Sequence, residues 1–174
     1  MLPIYMANNC ATLFGGGKPV DGGRNFSDGR RILGEHKTVR GFTFGVTGGI
    51  LTGLAEVLAA PFLAPYLGPV AGGDVFMQTS AVILVALPFG ALLGDLIKSF
   101  FKRRLNIASG AMLPVADQLD FVLGAWAVAI IAAPVWFFSN FTTGVLACAL
   151  LMTFPLQLFH NLIAVGLGKK KVPW

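Results

Sequence analysis

Five apolar stretches, at residues 1–14, 42–67, 76–97, 111–138 and 141–168, make up most of the chain, and all thirteen Lys and Arg residues lie between or after them. An α-helix needs about 20 apolar residues to cross about 30 Å of hydrocarbon. The chain is therefore expected to be an all-α, multi-pass protein of the cell membrane, with one integral membrane domain over 1–174. Only 12% of its 174 residues are charged, against about 25% in soluble domains, and its mean hydropathy is +0.74. That is too little charge to cover a soluble globule, which excludes an ordinary cytosolic enzyme, a disordered chain and a nucleic-acid partner. Cys10 and Cys148 form no metal or redox motif and read as small buried hydrophobes.

The basic residues fall into three groups: Lys18, Arg24, Arg30, Arg31, Lys37 and Arg40; Lys98, Lys102, Arg103 and Arg104; and Lys169, Lys170 and Lys171. The links at 68–75 and 139–140 carry none. Five transmembrane helices put every basic group on one side, and the positive-inside rule then sets the N-terminus out and the C-terminus in. Two cytoplasmic polar loops follow, 15–41 and 98–110, with a tight turn at Ser139 and Asn140. The net charge of +5 is thus a record of topology. Residues 1–14 reach only about 21 Å as a helix, so they form a short span or a half-span packed on its neighbours. Gly48, Gly49 and Gly53 predict close helix contact.

An acid inside an apolar span is costly and so calls for a function. Asp95 precedes Lys98 and Ser99 by three and four residues, so a continuing helix shows all three on one face. Asp117 and Asp120, three apart, share a face at the inner start of the fourth span. A hairpin of spans three and four brings the three carboxylates to one depth, where hard oxygen ligands beside a positive cluster suit Mg²⁺ and phosphate. Glu56 lies too deep to join them and is expected to be structural.

The first polar loop contains Gly15-Gly16-Gly17-Lys18-Pro19-Val20-Asp21 and Asp28-Gly29-Arg30-Arg31, with His36 and Lys37 after them. Glycines let backbone N–H groups approach anionic oxygens, and the basic side chains neutralise them. No Walker A pattern is present. Next to the carboxylates, the loop reads as a phosphate and nucleotide cradle. His36 is expected to be a plain polar loop residue. His160 and Asn161, inside the last span, suggest an interhelical hydrogen bond.

The run from Gly94 to Asp120 contains Gly-Asp, Ser before Lys-Arg, and Pro upstream of Asp-x-x-Asp. It resembles the signature of CDP-diacylglycerol synthases, apart from a missing His-Gly-Gly stretch and Gln118 in place of the usual Arg. With the first loop, its Asp-Gly-Arg-Arg-Ile-Leu-Gly and its His-Lys-Thr, the whole chain more closely resembles the archaeal CDP-archaeol synthase family. The resemblance implies transfer of CMP from CTP to the phosphate of an unsaturated archaeal diether glycerol phosphate, with release of pyrophosphate. It also implies Asp95, Asp117 and Asp120 as Mg²⁺ ligands. Lys98, Lys102, Arg103 and Arg104 would neutralise phosphates, with Ser99 as ligand or donor. Lys18, Arg24, Arg30, Arg31 and Lys37 would hold the triphosphate, while Asp21 and Asp28 contact base or ribose. The partners are then CTP and a prenylated membrane lipid; self-association into a homo-oligomer is left open. The alternatives are a CDP-diacylglycerol synthase acting on phosphatidic acid and, from another class, a small membrane transporter. A transporter is disfavoured because its site usually lies at mid-membrane between repeated halves, whereas these acids gather at one interface.

Overall fold

The computed structural model describes residues 1–67, 80–107, 111, 113 and 115–168. Among them run six helices: α1 Leu2–Leu13, α2 Val39–Leu67, α3 Ala81–Arg104, α4 Ala116–Ala132, α5 Pro134–Asn140 and α6 Thr143–Gly166. Two isolated β-bridges, Pro19 with Thr38 and Asn25 with Arg31, fold the first polar loop back on itself. The expected link at 68–75, the residues Ser109, Gly110 and Pro114, and the last basic group Lys169, Lys170 and Lys171 lie outside the described residues.

Among the described residues, three helices are long and apolar enough to cross a membrane: Val39–Leu63, Ala81–Arg104 and Thr143–Gly166. The first segment is a 12-residue helix, about 18 Å long. The stretch expected as one span over 111–138 is broken. Ala133 leaves helical geometry at φ −153°, ψ 69°, as the residue before a proline tends to, and Pro134 restarts the chain as the first residue of α5. Two boundaries also move. Lys98, Ser99, Lys102, Arg103 and Arg104, expected in a loop, are the last turns of α3, where cations complement the helix dipole. The turn expected at Ser139 and Asn140 comes one step later. Asn140 still belongs to α5 and bonds back to the Trp136 carbonyl at 2.7 Å, and Thr142 caps α6 by accepting the Val145 N–H at 3.4 Å.

Glycine decides how closely the helices approach. A Cβ at Gly49 would collide with Pro88, and one at Gly45 would lie 2.6 Å from Leu92 Cδ1, so one glycine face of α2 seats both α1 and α3. The tightest contact joins α3 to α4. A Cβ at Gly94 would collide with the Asp120 carbonyl, and one at Gly124 would lie 2.5 Å from the Gly90 carbonyl oxygen. Backbone therefore packs on backbone at the level of the acids. Farther along α4, Trp126 meets Phe137 and Phe141, whose rings stack at 4.7 Å. Phe62, Ile131, Val135 and Leu151 point outward and are well exposed, as side chains facing lipid are.

Candidate active site

The first polar loop, the end of α3 and the start of α4 meet at one end of the helices. Each is positioned by its own local chemistry. Thr38, just before α2, accepts N–H bonds from Gly41 and from Gly16, both at 3.1 Å, so one hydroxyl caps α2 and anchors the glycine run. Gly16 and Gly17 adopt φ of 117° and 80°, conformations that favour glycine. Lys37, just before Thr38 in its bridge to Pro19, reaches Asp95 on α3 with a short ion pair.

Around Asp95 the charges interlock. Lys98 Nζ lies 3.1 Å from Asp95, 2.9 Å from Asp117 and 2.6 Å from Asp120. Lys102, buried, bonds both Asp117 oxygens at 3.0 and 3.1 Å and also the Ala111 carbonyl. Asp117 accepts the Leu113 N–H at 2.6 Å as well, which ties the start of α4 to the segment before it. Ser99 gives its hydroxyl proton to the Asp95 carbonyl at 2.7 Å.

A cavity of about 1140 Å³ opens over this cluster. Asp95, Lys98, Ser99, Lys102, Arg103, Asp117, Asp120 and Lys37 line it, as do Gly15, Gly16 and Gly17. Its far wall holds neutral polar groups, Asn8 and Thr12 of α1 and Gln157 and Asn161 of α6, and Asn8 bonds Gln157 at 3.4 Å. Asn8, Thr12 and Gln157 were not anticipated as site residues. The signal was present, because amides in an apolar helix need a polar partner, but α1 and α6 are far apart in sequence. A smaller pocket of about 400 Å³ adjoins, lined by Arg30, Arg31, Glu35 and Arg103 among others.

The remaining expected contacts go elsewhere. Asp21 is enclosed within the loop and accepts from Gly23 N–H, Arg31 Nη2, Leu33 N–H and Gly34 N–H at 2.9–3.1 Å. Burial alone would raise its pKa, but those four donors outweigh it and hold the carboxyl well below the usual carboxylate range. Asp28 pairs with Arg104 at 2.8 Å. Arg104 also bonds the Arg30 and Arg31 carbonyls and stacks on Phe26 and Phe100, so it pins the loop to α3. Neither acid lines the cavity, and each is engaged in bonds that hold the loop together or tie it to α3. Lys18 and Arg24 are exposed and stand outside both pockets. Glu56 on α2 is also outside, with the amino group of Met1 as its electrostatic partner.

The chain matches the model of the CarS-like family, CDP-archaeol synthase, over residues 1–174. It belongs to the CDP-archaeol synthase family. Its relatives include the CDP-archaeol synthases of Methanocella arvoryzae, 55% identical over 174 residues, and Methanosarcina acetivorans, 49% identical over 175 residues, each match covering the whole of both chains. A solved structure of an intramembrane enzyme for archaeal membrane lipid biosynthesis superposes with a TM-score of 0.73 at 37% identity, covering 93% of this chain and 90% of that one. The protein is accordingly an enzyme, a CTP-dependent lipid cytidylyltransferase.

Proposed function

We propose that the cavity is where CTP and an unsaturated diether glycerol phosphate react, at the cytoplasmic face of a five-span membrane domain. The observation that carries this reading is the convergence of three carboxylates and three ammonium groups on one wall of an open cavity. A lipid phosphate oxygen attacks the α-phosphorus of CTP, the bond from that phosphorus to the bridging oxygen breaks, and pyrophosphate leaves. No protein nucleophile is needed, so catalysis is positioning and charge neutralisation. Lys98 and Lys102 offset charge near the transferring phosphorus. Arg103, which lines both pockets, leads the leaving phosphates toward Arg30 and Arg31. The glycine run offers its N–H groups to the same chain of phosphates.

Among the described residues no group of three ligands stands ready for a metal ion, since the Lys98 ammonium holds the point that the three carboxylates share; with that ammonium displaced, the hard carboxylate oxygens suit Mg²⁺. Asp95, Asp117 and Asp120 would hold the ion, which would neutralise and align the phosphate oxygens. The five-span reading joins α1 and the broken α4–α5 pair to the three long helices, and the basic groups then set the N-terminus out. Purified enzyme supplied with each nucleoside triphosphate, with Mg²⁺ or EDTA, and with diether or diacyl glycerol phosphate tests this. CDP-lipid should form from CTP and the diether and stop in EDTA. Equal turnover of phosphatidic acid would favour the diacyl reading, and full turnover in EDTA would remove the metal.

A further inference from the structure

The three carboxylates already share a cation, but an imperfectly directed one. Asp120 Oδ2 is enclosed and has no well-directed hydrogen-bond partner among the described residues, although Lys98 Nζ lies 2.6 Å from that oxygen. The contact is ionic and poorly aligned. Mg²⁺ is a doubly charged hard cation that draws carboxylate oxygens to about 2.0–2.1 Å and completes its octahedron with water and phosphate oxygens, so it can replace the ammonium on this donor set.

Charge then decides when replacement happens. Asp95, Asp117 and Asp120 face Lys37, Lys98 and Lys102, a neutral cluster. A bare divalent ion entering it would leave two uncompensated positive charges in a cavity partly walled by apolar helices, where unpaired charge is expensive. CTP brings several negative charges, enough to keep both the metal and the displaced ammonium. Lys102 is tethered to Asp117 and the Ala111 carbonyl, whereas the polar partners of Lys98 among the described residues are carboxylates that a metal would claim, and its flexible stem lines the cavity.

We propose that Lys98 is the resident cation of the carboxylate cluster, excluding free Mg²⁺ until CTP offers its ammonium a phosphate, so that metal enters with nucleotide rather than before it. The inference rests on the metal reading of the cluster given above. Mn²⁺ binding to the full chain in detergent, followed by electron paramagnetic resonance, tests it with and without a CTP analogue carrying a methylene bridge between its α and β phosphorus atoms. Wild type should bind free Mn²⁺ at least about tenfold more weakly than with the analogue. Lys98→Met should bind free Mn²⁺ at least about tenfold more tightly than wild type and lose most of the nucleotide dependence. Lys98→Gln, which keeps a polar terminus, serves where the Met variant does not fold. Equal wild-type affinity with and without the analogue overturns the proposal, as does a Lys98 variant no tighter than wild type, while both leave the metal site standing. No Mn²⁺ binding under either condition overturns the metal reading and this inference with it.

Discussion

The loop around Asp21 and the cluster around Lys98 are built from the same acids and bases, yet they differ in who satisfies the carboxylates. Three of the four donors to Asp21 are backbone N–H groups of its own loop. Those to Asp95 are the side chains of Lys37 and Lys98, facing an open cavity, and Asp120 meets Lys98 there in an ion pair. A carboxylate held by backbone is committed to the fold, whereas one held by flexible ammonium groups can exchange partners with a ligand. Asp117 lies between these cases, since it takes the Leu113 N–H as well as Lys98 and Lys102.

The sharpest way to break this contrast is to neutralise one acid of each kind. Asp120→Asn should lower CDP-lipid formation at least about 10²-fold with little change in melting temperature, because Asp95 and Asp117 still hold its ion-pair partner Lys98. A folded variant with near-normal turnover would remove Asp120 from the chemistry. Gly94→Ala should come next. Its methyl meets the Asp120 carbonyl, forcing α3 from α4 at a cost of about 1–3 kcal/mol and pulling Asp95 and Lys98 away from Asp117 and Asp120. Turnover and thermal stability should fall together; unchanged values for both would show that this close approach does not hold the cluster.

What was legible in the sequence follows the same division. The carboxylates that meet were readable because spacing on single helices and one hairpin placed them, and the glycine face of α2 was readable as a packing surface. The bonds that Asp21, Asp28 and Arg104 make to the loop and to one another were not. Basic and acidic residues among glycines look alike whether they await a triphosphate or bond one another, and only the folded path of the loop brings Asp21 under Leu33 and Gly34. The amide wall was hidden because Asn8 and Gln157 belong to opposite ends of the chain. The break at Ala133 was carried by Pro134, but a proline inside an apolar run reads equally as a tolerated kink.

For Asp21 the contrast predicts stability rather than rate. Asp21→Asn turns an amide N–H toward groups that are all donors, costing about 1–3 kcal/mol and exposing the loop to protease. The pH dependence has a definite sign. A carboxyl held low in the folded state stabilises fully above its unfolded pKa of about 3.9 and loses that contribution as pH falls through the folded value. Protease resistance of the loop should therefore be flat from neutral pH to about 4 and decline only below, while Asp21→Asn should be weaker throughout and insensitive to this range. A wild-type loop that opened between pH 7 and 5 would contradict the backbone-held assignment.

Backbone strain divides the two regions as well, and yields the smallest effect. In the loop every left-handed residue is a glycine, whereas beside the cluster they are Asn106 and Val115, at φ 60° and 66°. A branched side chain rarely sits there, and such strain persists where surrounding contacts overdetermine it. Val115 gives its carbonyl to the Gln118 and Leu119 N–H groups, and the turn at this residue lets Asp117 reach back to Leu113. Val115, at φ 66° and ψ −53°, adopts the strained γ-turn conformation, so Val115→Gly should relieve about 1–3 kcal/mol of strain and lose about 0.5–1 kcal/mol to the freer unfolded chain, a net gain of about 2 kcal/mol or less in thermal unfolding with turnover retained. Val115→Pro, which fixes φ near −65°, should abolish the return of Asp117 and most of the activity. If Pro is tolerated as well as Gly, the left-handed turn is incidental, and Asp117 belongs wholly with the exchangeable acids.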